Sequence, residues 1–110
     1  MVIKMVKYRC VKADVHGGVY WEGRQYVEEG IKDARKRAMR MIHGEKYDCV
    51  LIWLESDFKK RPWLGYKERV ILMDSKRHYA VLSGNKFSML DKDGSAHFER
   101  PTSERCALRE

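Results

Sequence analysis

Apolar residues recur along this chain with two different periods, and the changes of period mark out its elements. Residues 2–13 alternate: Val6, Tyr8 and Cys10 fall on one side, Lys7 and Arg9 on the other. A period of two with β-branched and aromatic residues predicts a strand. Ile3 and Met5 have the opposite parity, which implies either two partly covered faces or a bulge. Asp14-Val15-His16-Gly17-Gly18 carries the glycine pair of a tight turn. Val19-Tyr20-Trp21 then reads as a short return strand, broken by residues 22–25.

The period changes next. Val27, Ile31, Ala34, Ala38, Met41 and Ile42 recur at spacings of three and four. They draw an apolar stripe of the width of one buried helix face and predict a helix over 28–43. Glu28 and Glu29 in the first turn and His43 in the last suit the helix dipole. Gly44 reads as the stop. Gly30 weakens the first turn and allows a later start.

Beyond the helix the pattern belongs to strands. Residues 47–54 (YDCVLIWL) are a short apolar run, read as a central strand covered on both faces. Residues 56–65 read as a basic loop broken by Pro62 and Gly65, and 66–74 as the next strand. Gly84-Asn85 between 78–83 and 86–90 is a hairpin signal. Asp91-Lys92-Asp93-Gly94 is a further turn, after which 95–98 fits a short last strand. These connections are too short for crossovers, so the strands should form an antiparallel meander. The expected fold is α+β: one amphipathic helix on a mostly antiparallel sheet, in the order β-(β)-α-β-β-β-β plus the short last strand. Residues 1–99 form a single domain in this reading, and 100–110 a polar, flexible tail.

Charge adds a functional direction. The 110 residues carry 23 Lys and Arg against 16 Asp and Glu, a net +7. The excess is diffuse, +3 over residues 1–55 and +4 over 56–110. A basic balance favours acidic partners, nucleic acid among them. Two stretches concentrate it. The helix presents Arg35, Lys36 and Arg40, which could track phosphates. Glu28 before Lys32, and Asp33 before Lys36 and Arg37, have the spacing of ordinary helical ion pairs, so a solvated face is the competing reading. Lys59-Lys60-Arg61-Pro62-Trp63 sets three cations beside an aromatic: the cations suit phosphate, and Trp63 suits a base. The competing reading packs Trp63 onto the sheet.

Other chemistry finds little support. Cys10 and Cys49 sit in apolar strands with no local base, and the third cysteine, Cys106, is isolated. His16, His43, His78 and His97 lack metal-ligand spacing, and there is no CxxC pair. Ser56-x-x-Lys59 is a lone match without its companion motifs. Asp48 and Glu55 lie on opposite strand faces and do not converge with Asp57 on a cation. No phosphate-cradling glycine loop occurs. The expectation is a non-enzymatic binding module without cofactor or metal, binding nucleic acid through Arg35, Lys36, Arg40, Lys59, Lys60, Arg61 and Trp63. The alternative is a protein-interaction domain, an accessory subunit or inhibitor of a larger machine of the kind mobile genetic elements encode. Edge strands would also offer a route to a second copy. Lys4 and Lys7 interrupt any signal-like run, and no stretch reaches membrane-spanning length, so a cytoplasmic setting with free thiols is expected.

Overall fold

The computed structural model describes residues 6–14, 16–45, 49–61, 65–74 and 76–98. Seven strands form one antiparallel sheet: β1 Lys7–Ala13, β2 Tyr26–Glu29, β3 Cys49–Leu54, β4 Glu68–Leu72, β5 Tyr79–Ser83, β6 Lys86–Leu90 and β7 Ala96–Phe98. Helix α1 spans Ile31–Glu45 and helix α2 Glu55–Lys60. The strand order is β2-β1-β3-β4-β5-β6-β7. From β3 onward consecutive strands pair in a meander, with α2 in the β3–β4 connection and shorter turns after β4, and the fold class is the α+β arrangement expected. The one crossover is β2-α1-β3, which carries the chain over β1.

Three local readings differ from the structure. The second strand is Tyr26–Glu29, not 19–21. Val19 makes only an isolated bridge to Ala13, and Tyr20 to Gly23 form a turn. Glu28 and Glu29 therefore belong to an edge strand, paired with Tyr8 and Lys7. Helix α1 starts three residues later than expected. Gly30, at φ +85°, makes the bend that separates it from β2, and its carbonyl accepts the first helical bond, from Ala34 N–H at 3.1 Å. The helix also runs through Gly44 to Glu45. Finally, 55–60 is a helix and not a loop. Glu55 and Asp57 sit in its first turn and Lys59 and Lys60 in its last, the polarity its dipole favours. The expected tail at 100–110 lies outside the described residues.

The sheet has two apolar faces. On one, Cys10, Val50, Ile52, Val70, Tyr79, Val81 and Leu90 pack against Ala34, Ala38, Met39, Met41 and Ile42 of α1. On the other, Val11, Ala13, Cys49, Leu51 and Trp53 are covered by Val19 and by Phe58 of α2. Trp53 meets the Phe58 ring edge-on at 5.4 Å, and Trp21 lies against both at 6.1 Å. The two helices thus sit on opposite faces. Arg9 ties α2 to β1: it grips both carboxylate oxygens of Glu55 at 2.6 and 2.7 Å and lies over Phe58. This second cover stops at β3, and Leu82, Phe87 and Met89 continue the same face across β5 and β6.

A charged residue anchors α1 within its apolar contact. Arg35 is only 8% exposed. Its Nε and Nη2 donate to the two carboxylate oxygens of Glu68 on β4, at 2.8 and 2.7 Å. Its Nη1 donates to the carbonyl of Gly94, in the turn before β7, at 3.3 Å. This bidentate geometry offsets the desolvation of both charges. Gly94 is held close for a second reason. At φ +87°, a Cβ on it would collide with the carbonyl oxygen of Lys32, so the turn rests directly on the helix backbone.

Glu68→Ala would leave Arg35 buried without a counter-charge, and about 3–5 kcal/mol of stability should be lost in chemical denaturation. The double substitution Arg35→Met with Glu68→Leu should recover most of that loss. A loss below about 1 kcal/mol for the single variant would contradict the anchoring role.

Candidate functional site

The structure separates the cations that the sequence suggested as one surface. Arg35 is buried and committed to Glu68, so it cannot reach a phosphate. Lys36 and Arg40 lie on α1. Lys59, Lys60 and Arg61 are exposed at the end of α2, on the opposite face of the sheet. Trp63 lies outside the described residues. The expected helical pairs are also redistributed. Asp33 does meet Lys36, at 3.7 Å, but Glu28 pairs with Arg37 at 2.7 Å, and Arg37 stacks over Tyr26 at 4.4 Å.

Lys36 and Arg40 belong instead to a different cluster. They line a groove of about 270 Å³ together with His43, Arg77 and Lys92. Its floor is Met39, Tyr79 and Leu90. No Asp or Glu lines it. Three segments build the walls. Helix α1 supplies Lys36, Arg40 and His43 at spacings of four and three, which puts them in one row along the helix, with Met39 beside them. Strands β5 and β6 supply Tyr79 and Leu90, which face each other across the ladder. The turns before β5 and after β6 supply Arg77 and Lys92.

Both turns are tied by carboxylates. In the first, Asp74 accepts from the backbone N–H groups of Lys76 at 2.9 Å and His78 at 3.3 Å, and its other oxygen meets His78 Nδ1 at 2.8 Å. The His78 side chain and these amides hold the Asp74 carboxyl below its ordinary value. Within this turn Arg77 takes φ +67°, a left-handed conformation costly for a residue with a Cβ. In the second turn, Asp93 accepts from the N–H of Ser95 at 2.9 Å and from its hydroxyl at 3.0 Å. These bonds hold the Asp93 carboxyl below its ordinary value too. Gly94, seated on α1, fixes the distance of that turn from the helix. The groove is therefore held on both sides by bonded turns.

Arg77, Lys92 and His43 were not expected here. Asp91–Gly94 is legible as a turn, but nothing local says that it faces the helix. Among the described residues, no carboxylate pairs with Arg40, Arg77 or Lys92. A second concavity, lined by Tyr8, Ile31, Arg35, Leu54, Lys67, Glu68 and Ser83, contains the Arg35–Glu68 pair, whose charges are already matched.

Among the described residues, no three His, Cys, Asp or Glu side chains gather as metal ligands. Cys10 donates its S–H to the carbonyl of Ala34 at 3.3 Å, and burial pushes its thiol up to about 12. Glu55 is bound to Arg9. No helix among the described residues is long and apolar enough to cross a membrane.

Compared with protein-family models, curated proteins and solved structures, the chain matches none.

Two expectations follow from these positions. A carboxyl whose folded value is depressed stabilises its turn above the unfolded value and loses that contribution as pH falls through the folded one. The Ser95 amide resonance should therefore titrate with a midpoint below 3.8, the ordinary value for Asp93. A midpoint at or above that value would mean the turn is not held by Asp93. Cys10 and Cys49 should resist iodoacetamide in the native protein and react once urea unfolds it, because the thiolate is the nucleophile and neither is exposed. Labelling of either at native rates equal to unfolded rates, read by peptide mass mapping, would refute the buried core.

Proposed function

We propose that this protein is a nucleic-acid-binding module whose contact surface is the groove between α1 and the β5–β6 hairpin. The carrying observation is the meeting of five basic side chains from three separate segments around one concavity with no acidic residue in its lining. Arg40, Arg77 and Lys92, which no carboxylate among the described residues pairs, keep their charge available to phosphate. Lysine offers a compact ammonium charge and arginine a planar fork, a mixture suited to a phosphodiester backbone. A concave wall with an apolar floor also concentrates the field more than a flat charged face would.

A second reading, a protein-interaction domain, is favoured by the far side of the sheet. There Leu82, Phe87 and Met89 extend beyond the cover of α2, and Phe87 is 41% exposed. Arg69, cross-strand from Leu82, has a buried Nε without a hydrogen-bond partner. This face lies opposite the groove, so the two readings need not compete for one surface.

Fluorescence anisotropy with a labelled oligonucleotide across a salt series tests the first reading. Affinity should fall steeply with salt, with a log–log slope of about −0.7 for each phosphate contacted on a single strand. Arg40→Ala and Arg77→Gly should each weaken binding and flatten that slope by about one contact. Arg77→Gly should leave stability nearly unchanged. The relieved left-handed strain, about 1–2 kcal/mol, offsets the extra chain entropy of glycine, about 0.5–1 kcal/mol. Lys59→Ala and Lys60→Ala, on the opposite face, should change little. An absence of binding at low salt, or binding that depends on Lys59 and Lys60 and not on Arg40 and Arg77, would overturn it.

A further inference from the structure

The floor of the groove says more about the ligand than its charged rim does. A surface that only tracks a duplex needs cations on a ridge or a shallow face. The bases stay stacked inside the duplex, and the protein meets phosphates and sugars. Here the cations stand around a depression whose base is Met39, Tyr79 and Leu90. All three are core residues, between 8% and 9% exposed, so the floor is rigid and only a small part of each is presented. Its volume, about 270 Å³, is at the small end of ligand pockets and suits one planar ring with its sugar.

The composition of the floor fits a base. Tyr79 and Leu90 form a cross-strand pair, and Met39 packs beside them from α1. A thioether adapts to the face or edge of an aromatic ring, and a tyrosine offers ring surface with a polar tip. Burial holds the Tyr79 phenol above its ordinary value, with Arg77 opposing that shift in part, so the hydroxyl remains a neutral donor. Arg40, Arg77 and Lys92 surround this floor from three segments, placing positive charge where the phosphate on either side of an inserted base would run.

We propose that the groove binds an unpaired nucleotide, with its base on the Met39–Tyr79–Leu90 floor and its phosphates between Arg40, Arg77 and Lys92. This rests on the nucleic-acid reading and deepens it from phosphate tracking to recognition of an unstacked base. The same chemistry could come from a base within a single strand or from a free nucleotide. The floor offers mainly apolar surface, so the preference is for an exposed base over a paired one.

The test varies the ligand, which leaves the core residues of the floor intact. Four probes are compared at one salt concentration: a short oligothymidylate, an abasic strand of equal length and charge, a duplex of the same length, and free thymidine monophosphate as competitor. The single strand should bind about tenfold or more tightly than the abasic strand and the duplex, the size of effect one stacked base supplies. Arg77→Gly should reduce that binding while the protein stays folded. Affinity rising with strand length would identify a strand as the source. Full competition by the mononucleotide, with no gain from length, would identify a free nucleotide, and either result supports the site. Equal or tighter binding of the abasic strand or the duplex would overturn the inference while leaving the phosphate-binding reading in place. No binding of any probe would remove both.

Discussion

The buried Arg35–Glu68 pair is the constraint on which the rest of the arrangement depends. Ala34 and Ala38 bring α1 close to the sheet, and the guanidinium between them reaches two separate elements at once. It joins the helix to β4 through Glu68 and to the β6–β7 turn through Gly94. Helix contact alone would be non-directional, since apolar surface can slide. A bidentate ion pair has one geometry and removes that freedom. With α1 fixed, the row Lys36–Arg40–His43 faces the hairpin, and the turn seated at Gly94 brings Lys92 to the same edge. The groove is a consequence of where the helix is pinned.

This dependence explains which parts of the structure were legible in the sequence. The second half was readable because its signals are local. Gly84-Asn85 and Asp91–Gly94 are turn chemistry, and the strands between them alternate with a period of two. Strand β2 was not readable. Two consecutive carboxylates suit a helix first turn and an exposed edge strand equally, and only pairing with Lys7 and Tyr8 decides between them. Helix α2 is six residues long, too short to persist on its own propensity. It is held by the Arg9–Glu55 fork, made across 46 residues of sequence, and by Phe58 against Trp53 of the preceding strand. The charge order Glu55, Asp57, Lys59, Lys60 was the one local sign of it.

Arg35 is a different kind of miss. Residues 31, 35, 38 and 42 follow the helical spacing of four, three and four, so Arg35 falls inside the apolar stripe itself. Its position marked it as buried, while its charge suggested the surface. Position decides when a carboxylate waits at the other end, and Glu68 opens β4 two residues before Val70 of the α1-facing core. The candidate site was half legible for a related reason. Lys36 and Arg40 could be placed on one helix face, but Arg77 and Lys92 reach them only through the curvature of a sheet and two turns, which no local pattern records.

The diffuse charge of the chain becomes informative once its commitments are known. Arg9, Arg35 and Arg37 each grip a carboxylate, and Lys36 lies near Asp33. Pairing within the fold removes much of the apparent basic surface, including Arg35. What survives is placed by structure: Arg40, Arg77 and Lys92 around an apolar floor. These cations stand around one concavity, so their potentials add there, while Lys59 and Lys60 stand at the exposed end of α2 on the other face of the sheet. The left-handed backbone at Arg77 fits this division. A glycine would satisfy that turn at lower conformational cost, and the residue present instead projects a cation over the floor. Strain retained at a position whose side chain lines the groove, next to a core that otherwise follows its propensities, is the physical reason to seek the ligand at that edge of the sheet.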